Sequence, residues 1–285
     1  MLWRKGRRSD NVVRSTGGGR GLRGRPMSIG GLIVMLILGW IFFKDPTALL
    51  GDGGTSQSGA DAPQTSAPAD DTQTEFVQRV LGSTEDVWSG VFQGLGGRYQ
   101  PPRLVLFRGS VRTACGAASS AVGPFYCPGD RQVYLDVGFF DQMGSQLNAS
   151  TADFARAYVI AHEVGHHVQN LLGVMRKVDQ ARARGAAMQG AEGLSVRQEL
   201  QADCFAGVWA NRAQRQLQWL QPGDIEAALD AASHIGDDTL QRRARGRVMP
   251  DSFTHGTSAQ RVRWFRTGFA AGDIARCNTF AATML

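Results

Sequence analysis

The stretch AYVIAHEVGHHVQN, residues 157–170, constrains the fold most, because it places histidines inside a strongly apolar helical pattern. His162 and His166 are four positions apart, so they project from one face of a helix while apolar residues cover the other face. We expect this helix to run over 152–172. Gly173 is typical of the residue that ends a helix.

Two helix starts are predicted from capping-box patterns. Ser150 with Asp153 precedes the histidine helix, and Ser195 with Gln198 precedes a second helix that contains RQELQADCFAGVWANR.

The histidine spacing suits a metal site. Two imidazoles one helical turn apart can hold one Zn²⁺, and Glu163 beside the first of them can reach a water on the metal as a general base. The pattern His162-Glu163-x-x-His166 also occurs in proteins that are not enzymes. A third ligand is therefore needed to support the prediction of a catalytic zinc site.

Three positions compete for the third ligand. His167 points about 100° away from His166 on the helix, and His234 has no supporting group nearby in the sequence. Glu199 and Asp203 are again four apart, which allows Glu199 to complete the ligand set and Asp203 to accept the N–H of a ligating imidazole. A solvated acidic face is the alternative, but the apolar neighbours predict a buried helix where unpaired carboxylates are costly.

The formal net charge of +6 is concentrated at the start of the chain. Residues 1–26 hold seven Arg, one Lys and one Asp, so the remainder is close to neutral. This distribution predicts a basic cytoplasmic tail and argues against a basic surface for nucleic acid on the main domain.

Residues 27–43 form an uncharged run of 17 residues, which predicts a single transmembrane helix in contact with a lipid bilayer. The preceding Arg residues place the N-terminus in the cytoplasm and the rest of the chain outside, anchored in the inner membrane. A buried core helix and a cleavable signal peptide are the alternatives.

A flexible linker is expected over 44–72, which is rich in Gly, Ser, Ala, Pro and Asp, and the main domain over 73–285. Apolar residues alternate in RQVYLDVGFF, which is typical of a half-buried strand in a small antiparallel sheet. We expect this strand, residues 132–137, to be an edge on which an extended substrate pairs.

Four cysteines outside the cytoplasm favour two disulfides. The interpretation preferred here pairs Cys115 with Cys127, which bracket a short loop, and Cys204 with Cys277. Alternatively, Cys204 is a small buried apolar residue of its helix. Metal ligation by cysteine is disfavoured because no CxxC spacing occurs.

Five segments together resemble the bacterial membrane-anchored neutral zinc metallopeptidases of the YpfJ type. They are RKGRRSDNV, GPFYCPGDRQVYLD, AHEVGHHVQ, RQELQADCFAGVW and THGTSAQRVRWFRTGF, and together with the apolar run 27–43 they are distributed along nearly the whole chain. HExxH followed by ExxxD on a second helix is similar to the wider gluzincin group.

The resemblance implies a zinc-dependent peptidase with His162, His166 and Glu199 as ligands of one Zn²⁺, and Glu163 as the catalytic residue. His255, in SFTHGTSAQR, is a candidate for stabilising the oxyanion. The alternative is that His255 is a surface histidine in a segment that caps the following helix.

These observations predict an α+β, helix-rich zincin-like domain that hydrolyses peptide bonds of a peptide or protein substrate. A non-catalytic extracytoplasmic binding module with a structural zinc site is the main alternative. A protein regulated through its basic tail by nucleic acid or lipid is another. The oligomeric state does not follow from the sequence.

Overall fold

The computed structural model describes residues 1–15, 71–119 and 122–285 of the chain. Within these ranges the protein forms eight α-helices and six strands. The helices are α1 (Asp71–Gly94), α2 (Phe139–Ser145), α3 (Asp153–Leu171), α4 (Val174–Ala183), α5 (Leu194–Leu217), α6 (Asp224–His234), α7 (Asp237–Arg245) and α8 (Ser258–Ala271). The strands are β1 (Val12–Arg14), β2 (Arg103–Phe107), β3 (Ser110–Thr113), β4 (Gly116–Ser119), β5 (Phe125–Cys127) and β6 (Gln132–Asp136).

The main sheet has the order β1-β2-β6-β5, and β3 and β4 form a separate antiparallel pair. β1 with β2 and β2 with β6 are parallel, and β5 with β6 is antiparallel. The predicted small antiparallel sheet is therefore wrong for the main sheet, which is mixed and mostly parallel.

The prediction that β6 is an edge strand is also wrong, since β6 lies between β2 and β5. Its alternate residues enter two different apolar clusters. Val133 and Leu135 face the helical core, while Tyr134 packs with Val105 and Phe107 on the other side. Burial of both faces is typical of parallel strands, and the alternation in the sequence indicated only one buried face.

The N-terminal segment, residues 1–15, packs against the main domain. Trp3 is 7% exposed and its ring meets Phe76 of α1 edge-on at 5.6 Å. β1 pairs with β2 over three residues. Three side chains of this segment satisfy the buried carboxylate of Glu85, namely Arg7, Ser9 and Asn11.

β1 and β2 are hydrogen-bonded neighbours in one sheet, so the described part of the predicted tail, residues 1–15, belongs to the same fold as the main domain.

The predicted transmembrane helix is not supported. In residues 1–15, 71–119 and 122–285 no helix combines the length and the apolar character that crossing a membrane requires. The predicted span, 27–43, lies outside those ranges, as does the predicted linker up to residue 70.

Close approach of α3 and α5 positions the site. A Cβ on Gly165 would lie 3.0 Å from the carbonyl oxygen of Ala202 and 3.1 Å from its Cα, so glycine allows the two backbones to come together. Glu199 and Asp203 on α5 are consequently brought beside the histidines of α3.

The two predicted capping boxes do not form. α3 begins after Ala152 without a side-chain cap, and α5 begins at Leu194, which places Ser195 inside its first turn. Gly173 adopts the expected left-handed conformation, with φ 74°, after the end of α3. A capping box does occur at Thr257, before α8.

Both preferred cysteine pairs are disulfides. Cys115 is bonded to Cys127 across the short loop, and Cys204 of α5 is bonded to Cys277 near the C-terminus. Cys204 is fully buried as well as bonded.

Candidate metal centre and active site

Three side chains from two helices converge at one point. His162 and His166 of α3 and Glu199 of α5 each offer a donor atom, and these atoms lie within 4.8 Å of one another. His162 Nε2 is 3.2 Å from one carboxylate oxygen of Glu199, and His166 Nε2 is 3.4 Å from the other. The structure thus brings together the three residues that the sequence proposed as ligands.

Asp203 binds the nitrogen of His162 that points away from Glu199. Its Oδ1 accepts the Nδ1–H of His162 at 2.8 Å, which leaves Nε2 facing Glu199. The hydroxyl of Tyr158 also donates to Oδ1, at 2.5 Å. The structure thus places Asp203 within hydrogen-bonding distance of the His162 imidazole, the contact that the sequence suggested for it.

Arg261 of α8 binds the same carboxylate with two nitrogens. Its Nε is 2.9 Å from Oδ2 of Asp203, and its Nη2 is 3.0 Å from Oδ1. Burial alone would raise the pKa of Asp203, but Arg261 and His162 lower it to about 2. The carboxylate therefore stays ionised, which keeps it an acceptor for the His162 ring.

The donor set fits zinc. Nδ1 of His162 is bound to Asp203, and Nδ1 of His166 is 2.9 Å from Gln169 Oε1, so both Nε2 atoms face the Glu199 carboxylate. Two imidazole nitrogens and one carboxylate oxygen form a ligand set typical of catalytic zinc, in which one coordination position stays open.

Glu163 lies beside these ligands and is 8% exposed. Burial raises the pKa of its carboxyl group, and the neighbouring His162 and His166 oppose this shift. A buried carboxyl group beside candidate metal ligands is a candidate for proton transfer.

The site opens into a cavity of about 400 Å³. His162, Glu163, His166 and Glu199 line one part of it. Most of the remaining wall is apolar and includes Val122, Phe139, Met143, Leu147, Val159 and Ile235.

The edge strand at this cavity is β5. Phe125 and Tyr126 both line the cavity, and β5 has a sheet neighbour on one side, β6, among the described residues. Among the described residues, β5 rather than β6 is therefore the strand at the edge of the sheet beside the cavity.

His255 lies in the cavity wall, in the loop before α8. Asp237 holds this loop, since its Oδ2 accepts the backbone N–H groups of Thr254 and His255 at 2.7 Å and of Gly256 at 3.1 Å. Burial lowers the pKa of His255, but Glu199 and Asp237 outweigh it and raise the pKa above its ordinary value. The structure thus places this candidate beside the metal ligands.

The other two histidines are not part of the candidate ligand group. His167 is buried, with Nε2 2.6 Å from the carbonyl oxygen of Gln100 and Nδ1 3.1 Å from the hydroxyl of Tyr126. His234 ends α6, where its Nδ1 contacts the carbonyl oxygen of Asp230 at 2.8 Å.

Four residues around the site were not predicted from the sequence: Tyr158, Gln169, Asp237 and Arg261. An arginine inside an apolar helix such as RVRWF signals a buried partner, but the sequence does not say which carboxylate it meets. Asp237 follows a glycine at the start of a helix, so its sequence context indicates only an ordinary helix start and no contact with His255.

The fold and the site define a helix-rich α+β protein in which two packed helices present a His-His-Glu zinc site. A family model described as "Putative neutral zinc metallopeptidase" matches residues 1–280, so the chain belongs to that family. Zinc is the cofactor that membership implies, in agreement with the donor set.

Relatives share the whole length or most of it. The chain is 48% identical over 293 aligned positions to "Uncharacterized protein YpfJ" of Escherichia coli K12, with both chains fully covered. It is 47% identical over 223 positions to "Uncharacterized protein Rv2575" of Mycobacterium tuberculosis H37Rv, which covers 74% of this chain and 73% of the relative. No solved structure matches the chain.

Proposed function

We propose that this protein hydrolyses peptide bonds with one zinc ion held by His162, His166 and Glu199. The observation that carries the proposal is the buried Glu163 carboxylate beside these three donors, at the wall of an open cavity. A site that only stabilises the fold needs neither an adjacent base nor a cavity.

Glu163 acts as the general base and then as the general acid. It takes a proton from the attacking water and passes it to the nitrogen of the departing amine. When bound, Zn²⁺ supplies a Lewis acid that polarises the scissile carbonyl and acidifies that water.

His255 stabilises the negative charge that develops on the carbonyl oxygen. Its Nδ1 is 2.9 Å from the hydroxyl of Thr254 and 3.4 Å from Asp237, so Nε2 is the nitrogen available to a substrate. The carboxylate of Asp237 favours the charged imidazolium form, which is the stronger donor.

The substrate is a peptide in extended conformation with an apolar side chain near the scissile bond. The apolar part of the cavity wall supports that side-chain preference. β5 supports the extended conformation, because among the described residues no strand pairs with its outer edge, and backbone groups at a sheet edge can pair with a peptide.

We also place the domain in an oxidising compartment outside the cytoplasm. The support is that Cys115, Cys127, Cys204 and Cys277 are all paired in disulfides, which reducing compartments do not maintain. Thiol alkylation in intact cells before lysis tests this, and modification of all four cysteines would contradict it.

The mechanism is tested with the full chain, because residues 1–15 are part of the fold. Glu163→Gln should lower the rate of peptide hydrolysis at least about 100-fold, the typical contribution of a general base, while zinc content stays at one per chain. Glu192→Gln, the same change on a side chain that is 71% exposed, should leave the rate unchanged.

Two results would argue against the proposal. Hydrolysis by Glu163→Gln at the unmodified rate would exclude this residue as the base. A zinc-loaded unmodified protein that cleaves no peptide of a broad library would favour the non-catalytic binding module.

A further inference from the structure

A chain of buried amide side chains runs from His166 to the C-terminal segment. His166 Nδ1 is 2.9 Å from Gln169 Oε1, and Gln169 Nε2 donates to Gln201 Oε1 at 3.1 Å. Gln201 Nε2 then donates to the carbonyl oxygen of Cys277 at 2.9 Å. Gln169 is fully buried and Gln201 is 7% exposed, so water does not replace these partners.

The last acceptor in this series, the carbonyl oxygen of Cys277, determines the direction of the hydrogen bonds that lead to it. The carbonyl oxygen of Cys277 can only accept, so Gln201 must turn its NH₂ group to it and its oxygen to Gln169. Gln169 must therefore present its own NH₂ group to Gln201.

The second N–H of Gln169 is held as well, since it donates to the carbonyl oxygen of Gln198 at 2.7 Å. The oxygen of Gln169 is then left for His166, and Nδ1 of His166 must carry the proton. Nε2 of His166 keeps its lone pair for the metal.

The Cys204–Cys277 disulfide fixes the last acceptor of the hydrogen-bonded series, the carbonyl oxygen of Cys277. Cys277 is fully buried and bonded to Cys204 of α5, the residue that follows Asp203. Arg197 also binds the C-terminal segment, through the carbonyl oxygens of Thr279 at 2.6 Å and Ala282 at 2.9 Å. The Cys277 carbonyl is thereby fixed to the helix that carries Glu199.

We propose that Gln169 and Gln201 are positioning residues that set the tautomer of His166, and that the Cys204–Cys277 disulfide keeps their terminal acceptor in place. The affinity of the site for zinc then depends on this disulfide, although neither cysteine is a ligand. The proposal rests on the zinc ligands of the proposed function, but not on peptide hydrolysis.

The test measures the dissociation constant for Zn²⁺ of the purified full chain by competition with a chromophoric chelator. Gln169→Leu should raise this constant about 10- to 100-fold, the usual effect of losing the partner of a ligating imidazole. Gln201→Leu should raise it less, because the carbonyl of Gln198 still orients Gln169. Gln216→Leu, on the exposed end of the same helix α5, should not change it.

The disulfides provide a second matched comparison. Replacing Cys204 and Cys277 by Ser should weaken zinc binding about as much as Gln201→Leu. Replacing Cys115 and Cys127 by Ser should leave zinc binding unchanged, because that disulfide bonds to no member of the amide chain.

Non-additivity separates a positioning role from general loosening of the fold. If Gln201 acts through the Cys277 carbonyl, Gln201→Leu should add little to the effect of the Cys204/Cys277 replacement, whereas independent effects multiply. Should the variant without Cys204 and Cys277 not fold, the pair Gln169→Leu and Gln201→Leu supplies the same comparison.

Unchanged zinc affinity in Gln169→Leu, or effects that multiply in the combined variants, would overturn the proposal. Absence of peptide hydrolysis in a protein that shows the expected zinc affinities would instead remove the proposed function and leave this inference standing.

Discussion

The packing of the N-terminal segment is tested most directly by Trp3→Ala. The indole ring is 7% exposed, meets Phe76 at 5.6 Å, and lies 4.2 Å below the guanidinium carbon of Arg4. Truncation of a buried tryptophan leaves a cavity and removes these contacts together.

The expected loss is about 3–5 kcal/mol of the free energy of unfolding, as for other buried Trp to Ala changes. In a domain of this size it corresponds to a decrease in Tm of about 6–20 °C. Leu2→Ala is the control, because Leu2 directly precedes Trp3 and is 43% exposed. It should stay within about 0.5 kcal/mol of the unmodified protein.

Urea unfolding of the full-length variants, with zinc and again with a chelator, measures both values. Equal free energies of unfolding for Trp3→Ala and Leu2→Ala would refute the packing of residues 1–15 against α1.

Three further predictions concern the polar groups around the site. Burial lowers the pKa of His167 to about 4, so the unfolded chain takes up its proton first as the pH falls. Stability is then fully present above about pH 6.5 and declines by about 3 kcal/mol towards pH 4. Urea unfolding of the zinc-free protein should show a flatter pH dependence for His167→Gln, and an unchanged slope would contradict the shift. Asp237→Asn should lower kcat about tenfold at constant zinc content, because His255 loses its carboxylate partner; steady-state kinetics check this, and an unchanged kcat would count against the role of the pair. Arg261→Met leaves the carboxylate of Asp203 buried without its cation and should cost about 3–5 kcal/mol in urea unfolding, so a loss below 1 kcal/mol would show that the pair contributes little.

Local spacing explains why the site could be predicted. His162 with His166, and Glu199 with Asp203, are each four residues apart, so helical geometry alone places each pair on one face. The short loop between Cys115 and Cys127 similarly favoured one disulfide. In each of these cases the two residues are at most 12 positions apart in the sequence.

The remaining partners are distant in sequence and left no local signal. Arg261 and Asp203 are 58 residues apart, and Gln201 and the carbonyl of Cys277 are 76 apart. Such contacts exist only after α5, α8 and the C-terminal segment have packed.

The sequence by itself determined two helices with a metal-binding face, four cysteines available for pairing, and a basic start followed by an apolar run. Tertiary structure decided the strand order, the place of residues 1–15 in the main sheet, and the network that orients His162 and His166. The physical reason is that helical periodicity is a property of neighbouring residues. Strand partners and buried hydrogen-bond partners are instead selected by which surfaces meet when the whole chain excludes water.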